Sequence, residues 1–519
     1  MAKLNNINTT DIVEAIRLGC HCMQSVFNAD DGDIPYFRVA VRPEVFLGRS
    51  LEDHIPGRHL NGLLNAEDAA GVAIEEDAVE RHARAAFFSF SGSIALPKQR
   101  VDYQGPPVKF NDHNVREGFH ALYPLVAYRN SSHARELAKA SIEAVLEFFV
   151  REGSWNKERM QTEHGIQVDC ERTVIEGVAR CIGPLVKYYR AEAYGPALDL
   201  AVALKEKVIS EVFLDDGSYC IERFGGHVHS TTCVMSSLAQ LAELTQDGEL
   251  FGRVKAFYDH GLWELRDQLG WSIEEARQNN DRADEGEMNN TGDVLETALI
   301  LGRHGYTDCY QDAERILRCH MLPAQLRDVS WIEEPENPDG VDHLRDVTNR
   351  IRGSYGFPAP YGHQPIENKF LRFNTDVVGG SVGSLCEALR AVARFDDSGH
   401  HVSLLFDHED DNVAVKSPYP HGQLEVQVKK PAPLHVRIPT WVNRKQLRID
   451  GIESEVRWSN GYLFIAEPPV NRPVVINYEL ATEEIVLNHR TRDIRVRLRG
   501  DEVAAMDNFG ADVTFFDEF

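Results

Sequence analysis

A succession of apolar helical segments from about residue 115 to 395, broken off by strand-like sequence near residue 400, constrains this chain more than any other feature. Residues 134–150 place Leu137, Ile142, Val145, Leu146 and Phe149 near one face, the spacing of an amphipathic helix. Segments 173–189, 197–212, 228–244, 250–265, 293–303, 310–321 and 378–393 continue the series, separated by polar, glycine-containing breaks. Ten to twelve helices without intervening strands predict an all-α unit. Some segments, such as 230–242 and 379–388, are rich in small residues, whereas 134–150 is conventionally amphipathic. Inner and outer helices of those two kinds suit an (α/α)6 barrel, and the absence of a fixed-period consensus argues against a solenoid.

Past residue 400 the segments 402–406, 424–428, 434–438, 474–478 and 494–498 alternate or are β-branched, and Asn460-Gly461 is a hairpin signal. The expected class is therefore mainly α: an N-terminal segment plus (α/α)6 barrel over 1–400, then an antiparallel β-sandwich over 401–519. The aromatic and acidic end, Phe515 to Phe519, either docks on that sandwich or stays mobile, and the sequence does not decide between the two.

A chain of 519 residues with 43% apolar content can bury a large core in more than one unit. Its formal charge of −26 argues against a nucleic-acid partner, because phosphate binding needs a basic stripe. That charge serves first to keep the chain in solution, the alternative being a modest bias towards neutral substrates over polyanions, which a local Arg/Lys pocket can override. Residues 1–6 lack the apolar core of a secretory signal, and no run is long enough to cross a bilayer. Nine scattered cysteines without a CxxC pair read as free thiols of a cytoplasmic protein. A homo-oligomer is compatible with all of this.

The chemistry is carried by polar residues at helix starts. Asp293 and Glu296 follow Asn290-Thr291-Gly292, and Asp376 follows Phe373-Asn374-Thr375. Glu285 and Glu287 lie in the preceding acidic loop, with His113, His164, His227 and His229 in other candidate loops. Glycosidic cleavage needs one carboxylic acid to protonate the leaving oxygen and a second carboxylate as base or nucleophile. Glu285, Glu287, Asp293, Glu296 and Asp376 are the catalytic candidates. His113, His164, His227, His229, Asn374 and Tyr361 are the sugar-binding ones. His227-x-His229 without a third marked ligand is a weak metal pattern, so neither metal nor other cofactor is expected.

These segments resemble the β-L-arabinofuranosidases of glycoside hydrolase family 127. The resemblance rests on residues 291–298 and 377–385, Ser417-Pro418-Tyr419-Pro420, residues 436–441 and Asn460-Gly461-Tyr462-Leu463. It implies a barrel followed by a sandwich, a sugar substrate, a general acid near Glu285 or Glu287, and a sugar-binding histidine near His227. The family's zinc Glu corresponds to Glu296, but Ala298, Val377 and Val378 stand where its cysteines would be. Without thiolates neither the zinc cage nor the cysteine nucleophile can form. The expectation is thus a glycoside hydrolase working through paired carboxylates. A uronate lyase or sugar isomerase using His227, His229, Tyr355, Tyr361 and Arg372 is one alternative. A non-catalytic sugar-binding descendant is the other.

Overall fold

A computed structural model describes residues 11–277, 284–366, 368–453 and 455–519, so the N-terminal hexapeptide lies outside the described residues. Twelve helices build the barrel: α1 (Ile12–Ser25), α2 (Ile55–Ala70), α3 (Glu76–Ser89), α4 (Val115–Arg129), α5 (Ser132–Val145), α6 (Ile182–Glu192), α7 (Gly195–Glu211), α8 (Val228–Thr245), α9 (Gly248–Asp259), α10 (Met288–Arg303), α11 (Asp308–Ile316) and α12 (Thr375–Val392). The even-numbered helices touch in the closed order α2–α4–α6–α8–α10–α12–α2. Each odd-numbered helix backs its neighbours from outside, with α1 closing the seam between α12 and α2. This is the (α/α)6 barrel.

Residue size explains the two rings. Helices α8, α10 and α12 are buried over most of their surface, polar residues included. Small side chains let such helices approach one another closely. A side chain at Gly57 of α2 would run into the backbone of Glu117 on α4. Outer helices such as α5 and α9 bury only one face, as their periodicity requires.

Strands interrupt the helical series, contrary to expectation. Leu371–Asn374 pairs with Ile34–Arg42 and leads straight into α12, while Gln167–Asp169 pairs with Gln104–Asn111. Both are short additions at the loop end of the barrel, where apolar periodicity cannot register them.

After α12, two five-stranded sheets share one apolar cluster. Val415, Leu424, Val426 and Ile476 come from the first sheet, and Val402, Leu434, Val436 and Leu463 from the second. The pairing is antiparallel except between Gly399–Val402 and Leu434–Arg437, which run parallel. The expected strand at 402–406 stops at Val402, and Leu404 and Phe406 turn into the barrel core instead. A third sheet, Thr482–Val486, Arg495–Arg499 and Glu502–Met506, also packs on the barrel through Val496, Leu498 and Val503. Phe515 and Phe516 are buried in that same core, and the Phe515 N–H donates to Tyr361 O at 2.9 Å. Among the described residues no helix is long and apolar enough to cross a membrane. All nine cysteines are free.

Candidate active site

Six candidates from six chain positions converge at one end of the inner ring: His113, His227, His229, Glu287, Asp293 and Asp376. Glu287 is the residue before α10, extended at φ −135°, with its N–H donating to Ser272 O at 3.1 Å. The helix therefore starts at Met288, and Asp293 sits in its second turn, not at its beginning. The Asn289-Asn290-Thr291-Gly292 stretch conceals that start, since these residues are poor helix formers. Its polar groups are satisfied by the barrel-end loop, where Asn290 Nδ2 donates to Ile273 O at 2.8 Å and Thr291 Oγ1 to Gly270 O at 2.7 Å.

The Glu287 carboxylate is 6% exposed, 3.7 Å from His229 Nδ1 and 3.9 Å from His227 Nε2. Asn289 Nδ2 donates to it at 2.8 Å. Burial, then the negative charges of Asp376 and Glu274, push its pKa up to about 8 despite Asn289 and Arg58. Glu287 is therefore a protonated acid at neutral pH.

Asp376, second residue of α12, behaves in the opposite way. Burial favours its neutral form, but the hydrogen bond and charge of His54 and the charge of Arg58 outweigh it, leaving the pKa below 3.8. His54 Nε2 lies 3.4 Å from Asp376 Oδ2, and His54 Nδ1 lies 2.8 Å from Asn114 Oδ1. Asn114 Nδ2 in turn donates to Asp53 Oδ2 at 2.6 Å, which points its carbonyl at His54. Both ring nitrogens thus face acceptors, the arrangement of an imidazolium. The pKa of His54 is raised because Asp376 and Glu117 overcome the cost of burial.

The three candidate histidines in the recess, His113, His227 and His229, are of the other kind. Burial lowers His113 and His229 well below 6.5, and lowers His227 to about 3, with Arg180 adding to each. His113 Nδ1–H donates to Glu176 O at 2.9 Å, and His227 Nδ1 lies 2.8 Å from Ser230 Oγ. Glu176 Oε1 accepts the N–H groups of Gly226 and His227 at 3.0 and 3.3 Å. This approach requires Gly225, whose φ is +88° and where a Cβ would strike the Glu176 carboxyl. Rings of His54, His113, His227 and His229 follow one another at centroid distances of 6.1, 5.3 and 5.7 Å. His227, one third exposed, stands at the mouth, and the two carboxyl groups lie below it.

Asp293 sits beneath His229, with Oδ2 3.5 Å from Nε2 and 3.0 Å from the Thr232 hydroxyl. Burial raises its pKa to about 7, opposed by Arg116 and reinforced by Glu296. Asn374, just before α12, is 7% exposed at the same helix start as Asp376.

The other candidates are placed elsewhere. Glu285 accepts from Arg372 Nε at 3.2 Å. Glu296 lies nine residues along α10 from Glu287, roughly 13 Å down the axis. Its oxygens accept from Ser236 and Ser384 at 3.1 and 2.9 Å. His164 ends the short helix Lys157–His164, with Nδ1 2.9 Å from Ser93 Oγ. Tyr361 is buried and donates to Asp284 at 3.3 Å. Tyr355 is buried in the apolar core.

Sequence reading missed His54, Arg58, Glu117 and Arg180. Glu117 is fully buried among Arg58, Arg116 and Arg180 at 2.8, 3.1 and 3.3 Å. Burial would raise its pKa, but the three guanidinium groups and His54 hold it well below the usual carboxylate range. The one available signal was the placement of Arg58 and Arg116-Glu117 in the first turns of buried helices.

The zinc-thiolate centre implied by the resemblance does not fit these residues. Ala298, Val377 and Val378 are apolar core residues, and both Glu296 oxygens are taken by serines. Among the described residues His227, His229 and Glu287 bring donor atoms within 4.8 Å of one another, enough to hold a cation. Arg180 Nη2 already stands 3.4 Å from His229 Nδ1, and the charges of Arg58 and Arg180 further depress both histidines. A cation held there would compete with Arg180 for His229 Nδ1.

The loop carrying Glu287 is tied to the third sheet. Asp284 accepts from Thr491, lies 3.2 Å from His489 Nε2 and 3.2 Å from Arg492 Nε, and takes the Tyr361 hydroxyl. Asn488 Nδ2 adds a bond to Trp263 O at 2.6 Å. Asp284→Ala is expected to cost about 1–3 kcal/mol, the usual penalty for orphaning buried polar partners. Faster amide exchange at Glu285–Met288 would accompany the loss; unchanged exchange there would show the clamp to be idle.

No family model and no curated protein matches the chain. Solved structures do match. One described as a glycoside hydrolase has a TM-score of 0.57 at 12% identity, covering 87% of this chain and 77% of its own. A GH127 β-arabinofuranosidase gives 0.55 at 13%, covering 95% and 78%. A GH127 β-L-arabinofuranosidase from Geobacillus stearothermophilus gives 0.54 at 11%, covering 95% and 80%. The chain has the fold of GH127 glycoside hydrolases. At such identity the likeness concerns the fold, and chemistry must be argued from the residues.

Proposed function

We propose that the protein is a glycoside hydrolase in which Glu287 is the general acid and Asp376 the second carboxylate. The observation that carries this reading is the opposite charge state of two acids in one recess. Glu287 keeps its proton at neutral pH partly because Asp376 is ionised beside it, the division of labour glycosidic cleavage needs. Glu287 would protonate the departing oxygen while Asp376 activates water or attacks the anomeric carbon. Asp293 lies beneath His229, 3.5 Å from its Nε2. Neutral His113 and His227, together with Asn374, offer hydrogen bonds to sugar hydroxyls at the mouth. Of the residues named for the isomerase and lyase readings, His227 and His229 line this recess, whereas Tyr355 is buried in the apolar core and Tyr361 donates to Asp284.

The test is hydrolysis of a panel of 4-nitrophenyl glycosides across pH, with Asp376→Asn as the paired variant. The sign follows from the pKa directions. Activity should fall as pH rises through about 8, where Glu287 loses its proton. It should persist down to below pH 3.8, where Asp376 stays ionised. Asp376→Asn should lower kcat by at least about 10²-fold. Activity that increases through pH 8, or an unimpaired Asp376→Asn, would contradict the assignment.

A further inference from the structure

The two acids of the recess are unequally equipped. Oδ1 of Asp376 is buried without a hydrogen-bond partner, which leaves Oδ2 as the oxygen the recess can reach. His54 Nε2 stands 3.4 Å from that oxygen. On Glu287, Oε1 takes the Asn289 amide, while His229 Nδ1 and His227 Nε2 stand at 3.7 and 3.9 Å, beyond hydrogen-bond length. A histidine within bonding reach thus serves one carboxyl group and not the other.

His54, the residue before α2, is braced from every side. Glu52 accepts the Arg100 N–H and Nε–H at 2.6 and 3.2 Å, and Asp53 Oδ2 accepts the Asn114 amide at 2.6 Å. Asn114 Oδ1 then faces His54 Nδ1 at 2.8 Å, so Nδ1 must carry a proton. A neutral ring with its proton there would turn a lone pair on the Asp376 carboxylate; only a second proton, on Nε2, satisfies both sides. The Phe37 ring meets His54 at 88° and 5.7 Å, and His113 lies nearly parallel to it at 6.1 Å. Phe37 packs on none of the apolar clusters of the described residues, so this contact is its main engagement besides Arg49 above its ring. Arg58 and Glu117, one of each sign, also face His54 and Asp376, as do His113 and His227. Arg58 acts on Glu287 as well, so it does not choose between the acids.

We infer that His54 is a positioning residue that assigns the two roles: its Nε2–H holds the reachable oxygen of Asp376, so the proton the two acids retain resides on Glu287. Asp53 and Asn114 keep His54 in that posture. The inference rests on the hydrolase reading for its consequence in turnover, whereas the contact it asserts is tested without substrate. Nitrogen-15 NMR of the full chain with labelled histidine is the test, His54 being assigned by its absence in His54→Gln. At pH 7 both ring nitrogens of wild-type His54 should carry protons, and in Asp376→Asn one should not. Difference infrared spectra between His54→Gln and His54→Gln/Asp376→Asn should show Asp376 taking its proton at least about one pH unit higher than in the wild type, and the acid limb of kcat/KM should move up with it. A neutral wild-type His54, a doubly protonated ring that survives Asp376→Asn, or an Asp376 titration unmoved by His54→Gln would overturn the inference. Full activity of Asp376→Asn would instead sink the hydrolase reading and leave the spectroscopic result standing.

Discussion

Glu287→Gln should lower kcat/KM by about 10²–10⁴-fold on a glycoside with a poor leaving group, the contribution expected of a positioned general acid. The loss should be much smaller on a 2,4-dinitrophenyl glycoside, because that phenolate departs without being protonated. Glutamine preserves the size of Glu287 and can still accept from Asn289 at 2.8 Å, so a deficit that depends on the leaving group reports the proton and not the shape. The high-pH limb near 8 should vanish from what activity remains. Equal losses on both substrates would indicate damage to the recess and would remove Glu287 as acid. The same substitution should affect stability with a sign opposite to that of most carboxylates. Folded Glu287 holds its proton to about pH 8 against a model value of 4.5. The wild type therefore loses stability as pH rises between those values, and the variant gains relative to it over the same window.

The second large effect concerns Glu117, the counter-charge for Arg58, Arg116 and Arg180. Glu117→Gln is expected to destabilise the protein by about 3–5 kcal/mol, since it leaves buried cations uncompensated. The urea unfolding midpoint measures the loss. Arg58→Met placed on top of Glu117→Gln should cost less than it does alone, a coupling that a double-mutant cycle isolates. Additive losses would mean that the charges do not interact. This knot also supports the chemistry indirectly, because Arg58 is among the groups that keep Asp376 ionised and Arg180 stands against His229 Nδ1.

Sequence periodicity made the barrel legible because apolar spacing and side-chain size both differ between inner and outer helices. It also pointed to Glu287, His227, His229 and Asp376, which sit where polar loops meet buried helices and which the fold brings to one end of the barrel. What it could not locate shares one physical property: a side chain whose partner lies far along the chain. His54 and Asp376 are 322 residues apart and Arg180 and Glu117 are 63 apart, and no local pattern marks either pair. The start of α10 was hidden because tertiary hydrogen bonds, not propensity, hold Asn289 to Gly292 in a helix. The last 40 residues read as part of a separate sheet unit, yet Val496, Leu498 and Phe515 fill the barrel core. Strand alternation tells which face is buried but not against what.

The most direct measurement of the central claim is difference infrared spectroscopy, wild type minus Glu287→Gln, following the carboxyl stretch from pH 5 to 10. The account predicts one protonated carboxyl present at pH 7 that is lost with a midpoint near 8. A Glu287 band already that of the carboxylate at pH 6 would contradict it.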